Sequence, residues 1–330
     1  MRFTQRSAII LAAAISGLAL AAAPGTAVAA ANCIKVKATI PVGNGPYGIA
    51  VDPATNTVYV ADQGSDSVSV INGGTDTVTA TVGVGSSPAG IAVDPATNTV
   101  YVANEGSDSV SVINGKTDTV TATVGVASNV IAVAVNPVTD RIYAGGHGTT
   151  YVISGQTNKV VATFFGSTSQ AFFLAVNSRT DTIYLANGDL FVVVVNGRTN
   201  TRTARIRVEG EPGGTSVNQR TDTIYASNSS DGDLSVINGR TNKVTAQIPV
   251  VEGNPGFGLI AVAVNQRSND IYATSASTVF AVNGQTNTVS GSVSLNGQGP
   301  EGIAVNPSTG TIFTADQQAN AVSAFTSTCP

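Results

Sequence analysis

Gly48-Ile-Ala-Val-Asp-Pro-Ala-Thr-Asn-Thr-Val-Tyr-Val-Ala61 returns almost letter for letter as Gly90 to Ala103. Looser copies follow. The acidic or amide residue at its fifth position recurs at Asp52, Asp94, Asn136, Asn177, Asn218, Asn265 and Asn306, at spacings of 42, 42, 41, 41, 47 and 41 residues. Repeats near 42 residues that fill a 330-residue chain point to one closed array rather than two unrelated domains.

Each copy reads as four short strands. Ile49-Ala-Val51 is apolar, and Asp52-Pro-Ala-Thr-Asn56 is a turn cluster. Thr57 to Ala61 is rich in β-branched and aromatic residues, as is Val68-Ser-Val-Ile71 after the polar loop Asp62 to Asp66. Asn72-Gly73 signals a hairpin, and Val78-Thr-Ala-Thr-Val82 alternates as a fourth strand. Four antiparallel strands per repeat make a propeller blade, which can bury both faces only between neighbours. The predicted fold is therefore all-β, a seven-bladed β-propeller of four-stranded antiparallel blades.

The totals agree with strands and tight turns. Charged residues are 11% of the chain, hydrophobic residues 42%, and tryptophan is absent. A net charge of −4 gives no support to nucleic-acid binding. Arg2 and Arg6, the apolar run Ala8 to Ala23 and Ala27-Val-Ala29 read as a secretory signal peptide over residues 1–29, leaving 30–330 as one propeller domain. A membrane anchor fits less well, because Pro24-Gly25 breaks a short apolar run. A lipid-attachment site at Cys33 is opposed by Asn32, where a small residue is needed. No other segment could span a bilayer, so the expected location is secreted or extracytoplasmic, at the cell surface or in the periplasm. A monomer is expected.

Tyr59-Val-Ala-Asp62, Tyr101-Val-Ala-Asn104 and Tyr184-Leu-Ala-Asn187 resemble the Tyr-Val-Thr-Asn signature of YVTN-type β-propeller repeats. The resemblance covers residues 33 to 330. Ala usually replaces the Thr, Phe313 replaces the last Tyr, and Tyr143-Ala-Gly-Gly146 lacks the amide. It implies a seven-bladed secreted propeller and leaves activity open, since such repeats occur in surface, binding and enzyme proteins.

The cysteines show how the ring closes. Aligning Ala321-Val-Ser-Ala-Phe325 with Ser67 to Ile71 places Cys329 at the position of Thr75. Aligning Ala38-Thr-Ile-Pro-Val-Gly43 with Ala80 to Gly85 places Cys33 there too. Both lie at the turn between strands three and four of a blade whose turn is cut. The N-terminal strand should therefore complete the last blade, with a Cys33–Cys329 disulfide rejoining the turn in an oxidising setting. Two free thiols are the alternative. By the chain-entropy argument so large a loop gives on the order of 5 kcal/mol.

Alternate loops emerge on opposite faces. The four-to-one and two-to-three loops define an upper face, and the one-to-two and three-to-four turns a lower one. Asp62, Asp66, Glu105, Asp108, Asp189, Glu209, Glu211, Asp231, Asp233, Glu252, Glu301 and Asp316 map to upper loops, and no Lys or Arg does. The lower turns carry ten Lys and Arg residues and eight acids, the latter read as turn formers. An acidic face attracts cations, metals or basic partners, although acids are also common loop formers.

Two rings should surround the channel mouth: the end of strand two (Asp62, Asn104, Gly146, Asn187, Asn228, Ser275, Asp316) and the start of strand one (Tyr47, Ala89, Ile131, Phe172, Gly213, Ile260, Glu301). Tyr47, Asp62, Asn104, Phe172, Asn187, Glu301 and Asp316 are the candidate ligand-binding residues. Asp62, Glu301 and Asp316, from adjoining blades 1 and 7, could hold calcium or another divalent cation, and each could equally serve as a loop cap. Extra residues within Val251 to Gly258 enlarge one upper loop. His147, the single histidine, is in a Gly-rich upper loop and is not a convincing catalyst alone. Gly115-Lys-Thr117 resembles the end of a phosphate loop, but Val110 stands where the first glycine is required. Asn228-Ser-Ser-Asp-Gly-Asp233 has calcium-like composition without the spacing of a known loop. No catalytic set emerges. The expectation is an exported non-enzymatic propeller that binds a protein or small-molecule ligand on its acidic face. The alternative is a metal-dependent hydrolase, similar to lactonase propellers with one divalent ion at the channel mouth.

Overall fold

A computed structural model describes residues 33–127, 129–251 and 258–329. The side chains of residues 147, 166–172 and 187 lie outside that description, as do the proposed signal peptide and most of the enlarged loop. Blade 1 has its strands at Pro46–Asp52, Thr57–Asp62, Ser67–Asn72 and Thr77–Gly83, each antiparallel to the next. Blades 2, 5 and 6 repeat the plan. In blade 3 the expected two-to-three loop is extended, so strands two and three form one run, Arg141–Ser154. The next run, Lys159–Asn177, is both the outer strand of blade 3 and the inner strand of blade 4.

The last blade is completed from the other end of the chain. Ile34–Pro41 pairs antiparallel with Ala321–Ser327, from Ile34 opposite Ser327 to Pro41 opposite Ala321. Cys33 and Cys329 are disulfide-bonded, with their Cα atoms 4.8 Å apart. Inner strands touch in cyclic order, and blade 7 meets blade 1. The fold is a seven-bladed propeller.

Period-two alternation decides what each seam contains. In Thr57–Asp62, Val58 and Val60 pack toward blade 7 with Phe313 and Ala315. Tyr59 and Ala61 pack toward blade 2 with Ile91, Val100 and Val102. Seven such apolar clusters occupy the seven seams. The signature tyrosines Tyr59, Tyr101, Tyr143, Tyr184, Tyr225 and Tyr272 are all buried there, with Phe313 in blade 7. Burial of one such ring contributes about 3 kcal/mol at most.

The lower turns lock the seams. Strand-one amides donate to the turn of the following blade: Asn136 Nδ2 to Asp181 Oδ1 at 2.8 Å, Asn177 Nδ2 to Asp222 Oδ1 at 2.8 Å and Asn306 Nδ2 to Asn56 Oδ1 at 2.7 Å. Those acceptors, Asp181, Asp222 and Asn56, have left-handed backbones (φ 52°, 56° and 55°), which Asn and Asp tolerate. The Asn72-Gly73 turn works differently from the hairpin expected. Asp76, not Gly73, takes the positive φ of 55°. Gly73 is needed because a Cβ there would lie 2.7 Å from Asn56 Oδ1 and 2.9 Å from its carbonyl oxygen. Its N–H donates to that carbonyl at 2.8 Å, tying the two lower turns of the blade together.

Candidate functional site at the channel mouth

Inner strands from all seven blades enclose a shaft of about 160 Å³ lined largely by Ile49, Ile91, Ile131, Val133, Phe173 and Ile303. Glycines let the strands converge: a Cβ on Gly48 would meet the carbonyl oxygen of Ala89, and one on Gly302 that of Tyr47. Above the shaft is a cavity of about 260 Å³, bounded by Tyr47, Phe173, Pro212, Ile260 and Glu211. Tyr47 and Phe173 border both spaces. The site is an apolar cup with carboxylates at its margin.

Tyr47 comes from the start of blade 1's inner strand and is partly buried. Its phenol pKa is raised by burial and then by the charges of Glu301 and Glu105. Glu301 is itself partly buried, which raises its pKa. The charges of Glu301 and of Glu105, from blade 2, are thus felt at the phenol of Tyr47. Farther round the same face, Asp233 has a raised pKa through burial and then through Asp231 and Glu209. The acidity expected of this face is therefore felt between neighbouring loops.

Several sequence assignments change. Asp62 and Asp316 do not line the shaft or the cavity above it. Asp62 alternates with Tyr59 and Ala61 and shares the seam side of Val58 and Val60. It is fully buried and accepts a 2.7 Å hydrogen bond from Ser69 Oγ and another from the Gly43 N–H. Asp316 is equally buried and accepts from Thr314 Oγ1 at 2.7 Å and Ser323 Oγ at 2.5 Å. Burial outweighs these donors and pushes both carboxyls up to about 6. Asn104 occupies the same position in blade 2 and donates to Ser109 and Ser111 at 3.1 and 2.9 Å. These three residues close the upper ends of their blades and do not line the shaft.

Phe172 and Asn187 lie outside the described side chains. Phe173 is the aromatic residue placed in the cup, and the sequence alignment missed it. A register irregularity between Ala171 and Phe173 shifts the strand there. The same kind of irregularity opens blade 1, between Pro46 and Ile49, so it was visible only in the ladder and not in residue spacing. Glu211 was placed on the upper face but not at the cup. His147 lies on the continuous strand of blade 3, opposite Gln170, and not in a separate loop. One upper acid is neutralised from the side. Arg205, on the outer strand of blade 4, bridges Asp189 at 3.2 Å and stacks 4.1 Å from the Phe191 ring centre. Among the described residues no three His, Cys, Asp or Glu side chains are gathered as for a metal ion, and Asp62, Glu301 and Asp316 do not form such a trio.

A family model described as "Lactonase, 7-bladed beta-propeller" matches residues 11–139. Among the described residues the match takes in the outer strand of blade 7, Ile34–Pro41, blades 1 and 2, and the inner strand of blade 3. Comparison with curated proteins returns no match. Among solved structures, a chain described as "Kuenenia stuttgartiensis Hydrazine Synthase" is similar, with a TM-score of 0.76 and 17% identity over 94% of this chain and 100% of that one. At that identity the similarity speaks for the fold alone. Among the described residues no helix is long and apolar enough to cross a membrane.

Proposed function

We propose that this protein is a non-catalytic, exported binding propeller that takes a cationic ligand with an apolar body at the mouth of its channel. The observation that carries this reading is the cup formed by Tyr47, Phe173, Pro212 and Ile260, with Glu211 in its wall and the charge of Glu301 acting on Tyr47. Aromatic faces and carboxylates together suit a soft cation, and the apolar shaft below suits its hydrocarbon part. Benzyltrimethylammonium is a suitable probe. Calorimetric titration should show saturable binding that weakens in both Tyr47→Ala and Glu301→Gln. Equal binding by the wild type and both variants would exclude the cup as the site.

The family match over residues 11–139 favours a second reading, a metal-dependent lactonase-like hydrolase. Asp62, Glu301 and Asp316, with Asn104 and Asn187, would be its candidate ligands. The donor set fits this poorly, because Ser69, Thr314 and Ser323 already occupy the two aspartates and the three acids do not converge. Elemental analysis of the purified protein, alongside lactone turnover with and without added calcium, tests it. Stoichiometric metal lost in both Glu301→Ala and Asp316→Ala would favour the hydrolase over the binding protein.

A further inference from the structure

The lower face has an asymmetry that the channel mouth does not explain. Its one-to-two turns carry Ala54, Ala96 and Val138 in blades 1 to 3 and Ser308 in blade 7, but Arg179, Arg220 and Arg267 in blades 4 to 6. Arg198 and Arg240 occupy equivalent three-to-four turns of blades 4 and 5, flanked by Arg202 and Lys243. All seven cations are exposed. The carboxylates of the same arc, Asp181, Asp222 and Asp270, are only partly exposed. Asp181 and Asp222 are turned into the seams, where they accept from Asn136 and Asn177. Among the described residues none of the seven cations is in an ion pair; the pairs there are Lys37–Asp76 and Arg205–Asp189. On blades 1 and 2 the balance shifts the other way, with the buried Asp52 and Asp94, Asp76 paired to Lys37, and Asp118, while the turns themselves carry one cation, Lys116.

The arginines are also positioned. Arg179 Nη1 donates to the Gln219 carbonyl of the next blade at 3.1 Å. Arg220 Nη1 donates to the carbonyls of Gln266 and Arg267 in the next blade, at 3.3 and 3.1 Å. Each guanidinium has five N–H donors, so several remain for a ligand. A held guanidinium loses less freedom when it grips an oxyanion than a free one does. A compact anion would need one such group. Three at the same turn of consecutive blades, with two more on the neighbouring turns, match an extended chain of anions.

We propose that the lower face of blades 4 to 6 binds a polymer carrying repeated oxyanions, with Arg179, Arg220 and Arg267 as its main contacts. The field of this arc, across the ring from the acidic turns of blades 1 and 2, steers the polymer to one side of the face. The oxyanions could be carboxylates of an acidic polysaccharide or phosphates of a phosphate-linked chain. Polygalacturonate and polyphosphate, as separate probes, distinguish the two sources.

The test is binding of the purified protein to each probe at several salt concentrations. At least one probe should bind, and binding should weaken as salt rises. Arg179→Gln/Arg220→Gln/Arg267→Gln should lose about tenfold or more in affinity, equivalent to about 1.4 kcal/mol. Lys116→Gln, on blade 2, should stay within about twofold, as expected for a distant, exposed charge. Arg198→Gln/Arg240→Gln provides a second variant away from the blade-to-blade bonds, should the triple variant fold poorly, and it too should bind more weakly. The proposal is overturned if neither probe binds at low salt, if both arginine variants bind as the wild type does, or if Lys116→Gln loses as much as they do. Sedimentation showing that the arginines act only by stacking copies, upper face on lower, would also overturn it.

Discussion

The lower seams and the channel mouth use the same residue types for opposite purposes. Tyr184 is buried with its ring against blade 5, whereas Tyr47 is left partly open above the shaft. Asp222 in a lower turn has an amide donor from the neighbouring blade, whereas the charge of Glu301 raises the pKa of a phenol at the mouth. The seams repeat because every blade must meet the next in one geometry. The mouth varies because few contacts there hold the ring together. The lesson is that recurrence in this chain marks assembly and divergence marks candidate chemistry.

The sharpest way to break the comparison is to reopen the one seam that is not covalently continuous. Cys33→Ser/Cys329→Ser should cost on the order of 5 kcal/mol in denaturant unfolding, because the bond closes a loop of nearly the whole described chain. An unchanged midpoint would mean that pairing of Ile34–Pro41 with Ala321–Ser327 is enough for closure.

Next comes one substitution made on both sides. Tyr184→Ala leaves a cavity in a closed seam and should destabilise by about 3–5 kcal/mol. Tyr47→Ala removes a partly exposed ring and should cost less than about 1 kcal/mol while impairing ligand binding. Similar losses in thermal unfolding would erase the distinction between seam and mouth.

How far the sequence could be read follows from the same distinction. Strand order, blade number and the cut turn translate directly from repeat alignment, because an aligned position fixes a place in a blade. Side-chain direction does not follow from that alignment. Asp62 and Asp316 were assigned to the channel because their strands end at the top. Counting by twos from Val58 or from Ile312 would have turned both toward a seam. Phe173 was missed for a different reason, since the irregularity at Ala171 depends on the neighbouring strand. The acidic upper face was legible from loop charges, but Arg205 reached Asp189 from a strand where loop sorting could not place it.

Those two buried aspartates give a pH test. Their carboxyls titrate near 6 in the folded protein, against 3.8 ordinarily. Between those values the folded state holds more protons than the unfolded one, so stability falls as pH rises through the interval. The contribution of these two carboxyls is fully present below about pH 4 and lost above about pH 6. Asp62→Asn/Asp316→Asn, which copies Asn104 of blade 2, should flatten that slope and stabilise by on the order of 1–2 kcal/mol at pH 8. Unfolding midpoints across pH 4 to 8, on the order of one per unit, would show it. A variant less stable at pH 8 would indicate that the charged carboxylates are needed there.

The smallest effect on stability is expected at the mouth. Glu301→Gln keeps the side chain's size and removes one of the two charges that act on Tyr47. Exposed and partly exposed polar changes of this kind shift stability by about 0.5 kcal/mol or less. The phenol should respond even so. Burial remains as the main cause of its raised pKa, while the loss of the Glu301 charge moves it back toward its ordinary value. The shift can be read by ultraviolet titration, as the difference between the wild type and Tyr47→Phe in each background. An unmoved phenol would separate Glu301 from the cup and leave Glu105 as the other charge that acts on Tyr47. A moved phenol, with unfolding unchanged, would show that the mouth carries electrostatic coupling that the ring does not need for its own stability.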